Sequence, residues 1–144
     1  MREILFRGKR ANNNEWIEGG IIPLDTNSGY IFIAEPFLLA STLPVYEIIK
    51  YHTHLIIPET AGQYTGLTDK NGKRIFEGDI VDCWSEGINA QGTVQQRRDG
   101  LWIIYPAWQK HIMWGLCPDE YSHTTVEVIG NIHDNPELVK GGEE

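Results

Sequence analysis

The chain has 144 residues, 41% hydrophobic and 22% charged, and its 12 basic and 20 acidic side chains leave a formal charge of −8. That length suits one domain, or two small ones, and can bury a core without disulfide staples. A pI near 5.1 disfavours broad binding to DNA or RNA, which needs a basic face, and the 15 Gly and 7 Pro, mostly between apolar runs, argue against a helical bundle and against disorder.

The opening residues, Met1 to Arg10, interrupt their apolar stretch with charge and predict no secretory leader. No run approaches the ~20 apolar residues of a membrane-spanning helix. Cys83 and Cys117 are the only cysteines and lack a CxxC spacing, so reduced thiols and a cytoplasmic protein are expected. Charge is uneven: Arg2, Arg7, Lys9 and Arg10 against Glu3 make the first ten residues +3. From Cys117 onward, seven acidic residues against Lys140 give −6. Opposite ends of this kind can pair within a chain or between copies, although solvated surface charge is the simpler account.

Periodicity is mostly two. Ile4 to Gly8 alternates as a strand, 11–14 is an Asn-rich turn, and a second strand starts at Trp16 and runs to about Leu24. Turn residues at 25–29 precede a short strand at 30–34, and Pro36 and Pro44 bracket a looser segment. The stretch 45–57 fits both a helical stripe and a β-branched strand, with strand expected at 53–57 and ended by Pro58. Gly62 and Gly66 suggest bends in a connector, and Asn71-Gly72 a tight turn.

The second half is clearer. A strand at 78–84 alternates Ile80, Asp82 and Trp84 against Asp79, Val81 and Cys83. Strands at 92–98 and 101–105 flank Asp99-Gly100, which suits a two-residue hairpin turn. An aromatic loop, a last strand at 124–130, and Asn135-Pro136 as the cap and first position of a short helix complete the chain. Four or five short strands after Ile75 suggest a small closed barrel, which would remove exposed edges.

His52 and His54, two apart on a strand, project to one face and suit a Zn²⁺ site if Glu59, His111, Asp119 or His123 adds a third ligand. Surface or cross-strand packing explains the pair more simply. Cys83 looks like a packed small hydrophobe, and Cys117 precedes acidic residues that would raise a thiol pKa, so neither suits a nucleophile. Trp84, Trp102, Trp108 and Trp114 fall within 31 residues. Packing and a subunit contact explain them more simply, but joint exposure of Trp108 and Trp114, near Lys110, Arg97 and Arg98, would favour a binding surface.

Several blocks resemble the phage-associated YopX family: REILFRGK at 2–9, IPETAGQYTGLTDKNG at 57–72, IFEGDIV at 75–81 and VIGNIHDNPEL at 128–138. They are ordered as in that family. The resemblance implies a phage- or prophage-encoded, mostly β protein with an SH3-like barrel in its C-terminal part, and it carries over no catalytic residue.

Residues and resemblance together predict a mainly β protein. An N-terminal β-rich region (1–58) would pack on a C-terminal SH3-like barrel (59–138) with a short helix, followed by a frayed tail (139–144). The expected function is a non-enzymatic binding or assembly module without a cofactor, homo-oligomeric, joined to an unidentified phage or host protein and not to membrane. Its candidate surface is Trp108, Trp114, Lys110, Arg97 and Arg98. The alternatives are a metal-dependent enzyme using His52 and His54, and a single-stranded nucleic-acid binder using Arg97, Arg98 and Trp102, which the −8 charge disfavours.

Overall fold

The computed structural model describes residues 4–23, 31–34, 44, 47, 52–85, 87–108 and 112–140. The chain forms two compact units, Met1–Gln63 and Tyr64–Glu144, where the sequence suggested a division after Pro58. The protein is mainly β, with two antiparallel sheets. The doubtful segment before His52 lies almost wholly outside the described residues.

In the first unit, β1 (Phe6–Lys9), β2 (Trp16–Pro23), β3 (Ile31–Ala34) and β4 (Thr53–Ile56) form an antiparallel array in the order β4-β3-β2-β1, and the start of β5 (Gly62–Thr68) pairs with β1. The Asn-rich turn closes β1 onto β2. Arg10 N–H donates to the Glu15 carbonyl at 2.9 Å, Asn14 adopts φ 61°, and the Asn13 side chain accepts Glu15 N–H at 3.0 Å. Asn tolerates that left-handed conformation and mimics a backbone turn with its amide.

Leu5, Ile33 and Ile56 are buried. Pro58 ends β4 as expected and opens a 3-10 turn, Pro58–Thr60. The Thr60 hydroxyl donates to the Ile57 carbonyl at 2.6 Å and accepts Lys9 N–H at 2.8 Å, fastening this turn to β1. Arg7 and Lys9 lie 4.7 and 5.6 Å from the Trp16 ring centroid, so two of the N-terminal cations sit against one aromatic face.

The second unit contains the rest of β5, then β6 (Arg74–Phe76), β7 (Asp79–Ser85), β8 (Ile88–Gln96), β9 (Trp102–Trp108), β10 (Ile112–Gly115), β11 (Glu127–Asn131) and helix α1 (Pro136–Lys140). β7 to β11 make a five-stranded sheet in the order β10-β9-β8-β7-β11. Its inner face supplies Val81, Cys83, Ala90, Val94, Trp102 and Ile104, which cluster with Ile75, Leu116 and Val126.

Three features differ from the sequence expectations. Residues 62–68 form a strand and not a bent connector. Gly66 takes φ 85°, and the register with β6 shifts between Tyr64 and Thr68, so the flexible residue makes a bulge within a strand. The Thr65 hydroxyl donates to the Ile75 carbonyl at 2.8 Å and accepts Leu67 N–H at 3.1 Å, bonding backbone groups next to the bulge.

The β8–β9 connection is a three-residue loop, 98–100, closed by Arg97 N–H to the Leu101 carbonyl at 2.8 Å, one residue longer than the expected turn. Finally, the sheet is open among the described residues. Its edges, β10 and β11, do not pair. The chain between them bonds to β5 and its turn, through Thr124 N–H to the Thr68 carbonyl at 2.8 Å and Lys70 N–H to the Val126 carbonyl at 2.9 Å.

Two buried carboxylates organise this unit. Asp79 accepts Phe76 N–H at 2.8 Å, shaping the β6–β7 turn. Asp69 accepts Asn71 and Lys73 N–H at 2.9 Å each and Val128 N–H at 3.1 Å, joining the β5–β6 turn to β11. The closing segment is equally knit: Asn131 Oδ1 accepts His133 and Asp134 N–H at 3.0 and 2.9 Å, and Asn135 Oδ1 accepts Asn131 N–H at 3.2 Å. Asn135 stands at the expected cap position, its carbonyl accepting Leu138 N–H at 3.1 Å, while its side chain turns back to β11.

Gly19 gives a direct check on the first unit. A Cβ there would collide with the Ala34 carbonyl, whereas one at Gly20 meets nothing. Gly19→Ala is expected to cost about 1–3 kcal/mol, the range for overpacking, read as a lower urea midpoint, while Gly20→Ala stays within ~0.5 kcal/mol. Equal midpoints for the two variants would contradict the strand approach described here.

Candidate functional site

The five-stranded sheet has an inner face committed to the core and an outer face that is largely polar. Alternation along β7 puts Ile80, Asp82 and Trp84 on the outer face, opposite to Val81 and Cys83. Ile80 is buried, but Trp84 is 62% exposed. Register places Asn89 opposite Trp84, and Gln91 and Glu127 on either side of Asp82. Directly opposed residues share a face, so Trp84 projects beside two carboxylates and two amides.

The carboxylates have unequal surroundings. Glu127 pairs with Lys70 at 3.3 Å. Asp82 Oδ1 is buried without a hydrogen-bond partner. An acceptor in that state costs free energy, and a like charge directly across the strands adds to the cost.

The sequence-derived surface falls only partly within the described residues. Trp114 is half-buried and packs against the core cluster, Trp108 contributes backbone at the end of β9, and Lys110 lies outside the described residues. Arg97 and Arg98 sit at the β8–β9 loop, where Arg97 pairs with Asp99 at 2.6 Å. Trp102 is only 9% exposed, which removes it as a stacking platform for nucleic-acid bases. Trp84, by contrast, is exposed. Its alternation with Val81 and Cys83 was visible, but the side of the strand facing the core was not.

The histidines belong to the first unit. His54 lies on β4 opposite Ile33, and His52 immediately precedes that strand. His54 lines a cleft of about 230 Å³ together with Arg10, Ala11, Asn12, Thr53 and Leu55. A guanidinium in the same cleft works against a divalent cation, and no group of three His, Cys, Asp or Glu residues suited to a metal occurs among the described residues.

Of the suggested third ligands, His111 lies outside the described residues and Glu59 is exposed in the 3-10 turn. Asp119 and His123 belong to one exposed turn of the second unit. Asp119 accepts the backbone N–H of Tyr121 at 2.8 Å and of His123 at 3.0 Å, and these bonds, His123 first, lower its pKa.

The chain thus has the features of a mainly β protein whose buried polar groups serve the fold and whose outward sheet face carries an exposed aromatic. The family model described as YopX protein matches residues 5–140, so the chain belongs to the YopX family. The crystal structure of protein EF1440 from Enterococcus faecalis is similar, with a TM-score of 0.51 and 22% identity over 96% of this chain and 99% of that one. At that identity the likeness concerns the fold alone. No curated protein matches. No helix among the described residues is long and apolar enough to cross a membrane.

The two cysteines provide a chemical test of the inner face. Cys83 donates from Sγ to the Ala90 carbonyl at 3.3 Å, and burial, with the Asp82 charge adding, pushes its pKa from 9.0 up to about 11. Cys117 is exposed. A disulfide reagent at pH 8 should label Cys117 rapidly and Cys83 only on unfolding. Because the folded pKa is raised, the Cys83 contribution to stability is intact below pH 9.0 and is lost as pH rises toward 11. Rapid labelling of both thiols in the folded protein would contradict this packing.

Proposed function

We propose that this YopX-family chain is a phage- or prophage-derived binding or assembly module, non-enzymatic and acting in the host cytoplasm, and that its contact surface is the outer face of the five-stranded sheet around Trp84. The observation that carries the proposal is the exposure of Trp84 on a regular strand beside the unpartnered Asp82 Oδ1. Tryptophan contributes more than most residues to protein contacts, and an exposed one on a regular strand is held ready for such a contact. A non-enzymatic role agrees with the use of Asp69 and Asp79 as acceptors for backbone N–H groups and with the burial of the Cys83 thiol.

Charge selects the partner. Asp82, with Glu127 already paired to Lys70, leaves this face net acidic, which favours a cationic surface and opposes nucleic acid. The chain itself supplies such a surface, with a first segment of charge +3, so a second copy is the proposed occupant and a homo-oligomer the proposed assembly.

Light scattering on the full chain tests this reading. At low salt the protein should run as a dimer or larger species relative to its 16.4 kDa chain, and added salt should shift it toward monomer. Trp84→Ala should also shift it toward monomer while far-UV circular dichroism stays unchanged. A wild-type monomer throughout the accessible concentration range, or an assembly indifferent to Trp84→Ala, would refute the self-association proposed here.

A further inference from the structure

The cleft beside β4 has a property that the sheet-face reading does not use. Arg10 bridges to Ile56, and Ala11 N–H donates to the Leu55 carbonyl at 2.9 Å, so the β1–β2 turn is pinned along β4. This holds the Arg10 side chain at a cleft of about 230 Å³ shared with Asn12, Thr53 and His54. Arg10 Nε is buried and has no hydrogen-bond partner. A guanidinium N–H withdrawn from water without an acceptor is costly, and the cost is greater because the group is charged.

We propose that this cleft binds a small oxyanion group, phosphate or carboxylate, through the Arg10 guanidinium. The fork of N–H donors on arginine matches the paired oxygens of either group. Asn12, also in the lining, carries an amide able to donate hydrogen bonds, and none of the lining residues is acidic. The volume lies below the ~300 Å³ at which drug-sized sites begin, so it fits one anionic group and not an extended ligand. The inference rests on the Arg10 cleft of the first unit and is read out there, whereas self-association is read out by Trp84→Ala in the second unit.

The test is a titration of the ¹⁵N-labelled full chain with sodium phosphate, and separately with sodium acetate, at ionic strength held constant with chloride. The expected result is saturable movement of the Arg10 side-chain Nε–H signal and of the Ala11, Asn12 and Leu55 amides, with either salt or both. Movement with phosphate alone narrows the class to phosphoryl groups, and with acetate alone to carboxylates. Arg10→Gln should weaken the binding about tenfold or more, the equivalent of losing a charge-assisted hydrogen bond, while Arg10→Lys should retain part of it. Absence of saturation with both salts in the wild-type protein, or equal affinity in a folded Arg10→Gln variant, would overturn the proposal. The wild-type signals decide the matter even if both variants fail to fold.

Discussion

The second unit depends on one buried side chain. The Asp69 carboxylate accepts N–H groups from Asn71 and Lys73, in the turn that follows β5, and from Val128 on β11. Val128 is far in sequence from the two turn residues, and all three donors are backbone N–H groups with little freedom to adjust, so the carboxylate must be held in one place. Charge-assisted bonds of this kind contribute more than neutral ones, and an isolated buried carboxylate would be strongly unfavourable. The surrounding backbone and Asp69 therefore stabilise each other. Lys70 N–H to the Val126 carbonyl and Thr124 N–H to the Thr68 carbonyl extend the same junction, which positions Val126 in the core cluster with Ile75 and Val81.

The segments that carry the family resemblance show the same economy. Thr60, Thr65, Asp69 and Asp79 lie in the blocks at 57–72 and 75–81, and each bonds a backbone group that its turn or bulge would otherwise leave exposed. Asn131 and Asn135 do this in the closing block. The recognisable part of the chain is thus the part that fixes its shape.

How much of this could be read beforehand follows from what local patterns encode. The strands at β7, β8, β9 and β11 were legible because apolar residues alternate and turn residues separate them. Burial of Cys83 was legible from residue type, because a free cysteine behaves as a small hydrophobe. β5 was missed because Gly62 and Gly66 resemble punctuation, and the hydroxyl of Thr65 compensates for the bulge in a way that composition does not reveal. β10 was hidden in an aromatic stretch without clear alternation. The open sheet was not foreseeable from strand spacing, because pairing of β11 with β7 depends on a carboxylate 59 positions away from its Val128 partner.

The candidate site was legible only in part. Four clustered tryptophans drew attention to the second unit, yet period-two alternation says which residues share a face and not which face meets the core. Trp102 went inward, Trp114 packed against the core, and Trp84 went outward. His54 was singled out for a metal, but its cleft includes Arg10, which the sequence places more than forty positions away and only the β4 pairing brings near. Long-range pairing, not residue type, decided the chemistry at both places.

The most direct test of the Asp69 junction is native-state hydrogen exchange at the amides of Asn71, Lys73 and Val128, in the wild-type protein and in Asp69→Asn. If one carboxylate ties the turn to β11, the three amides should open together with a common free energy in the wild type. The substitution should lower the protection of all three. Independent exchange of Val128 from the two turn amides, or protection unchanged in Asp69→Asn, would contradict the account.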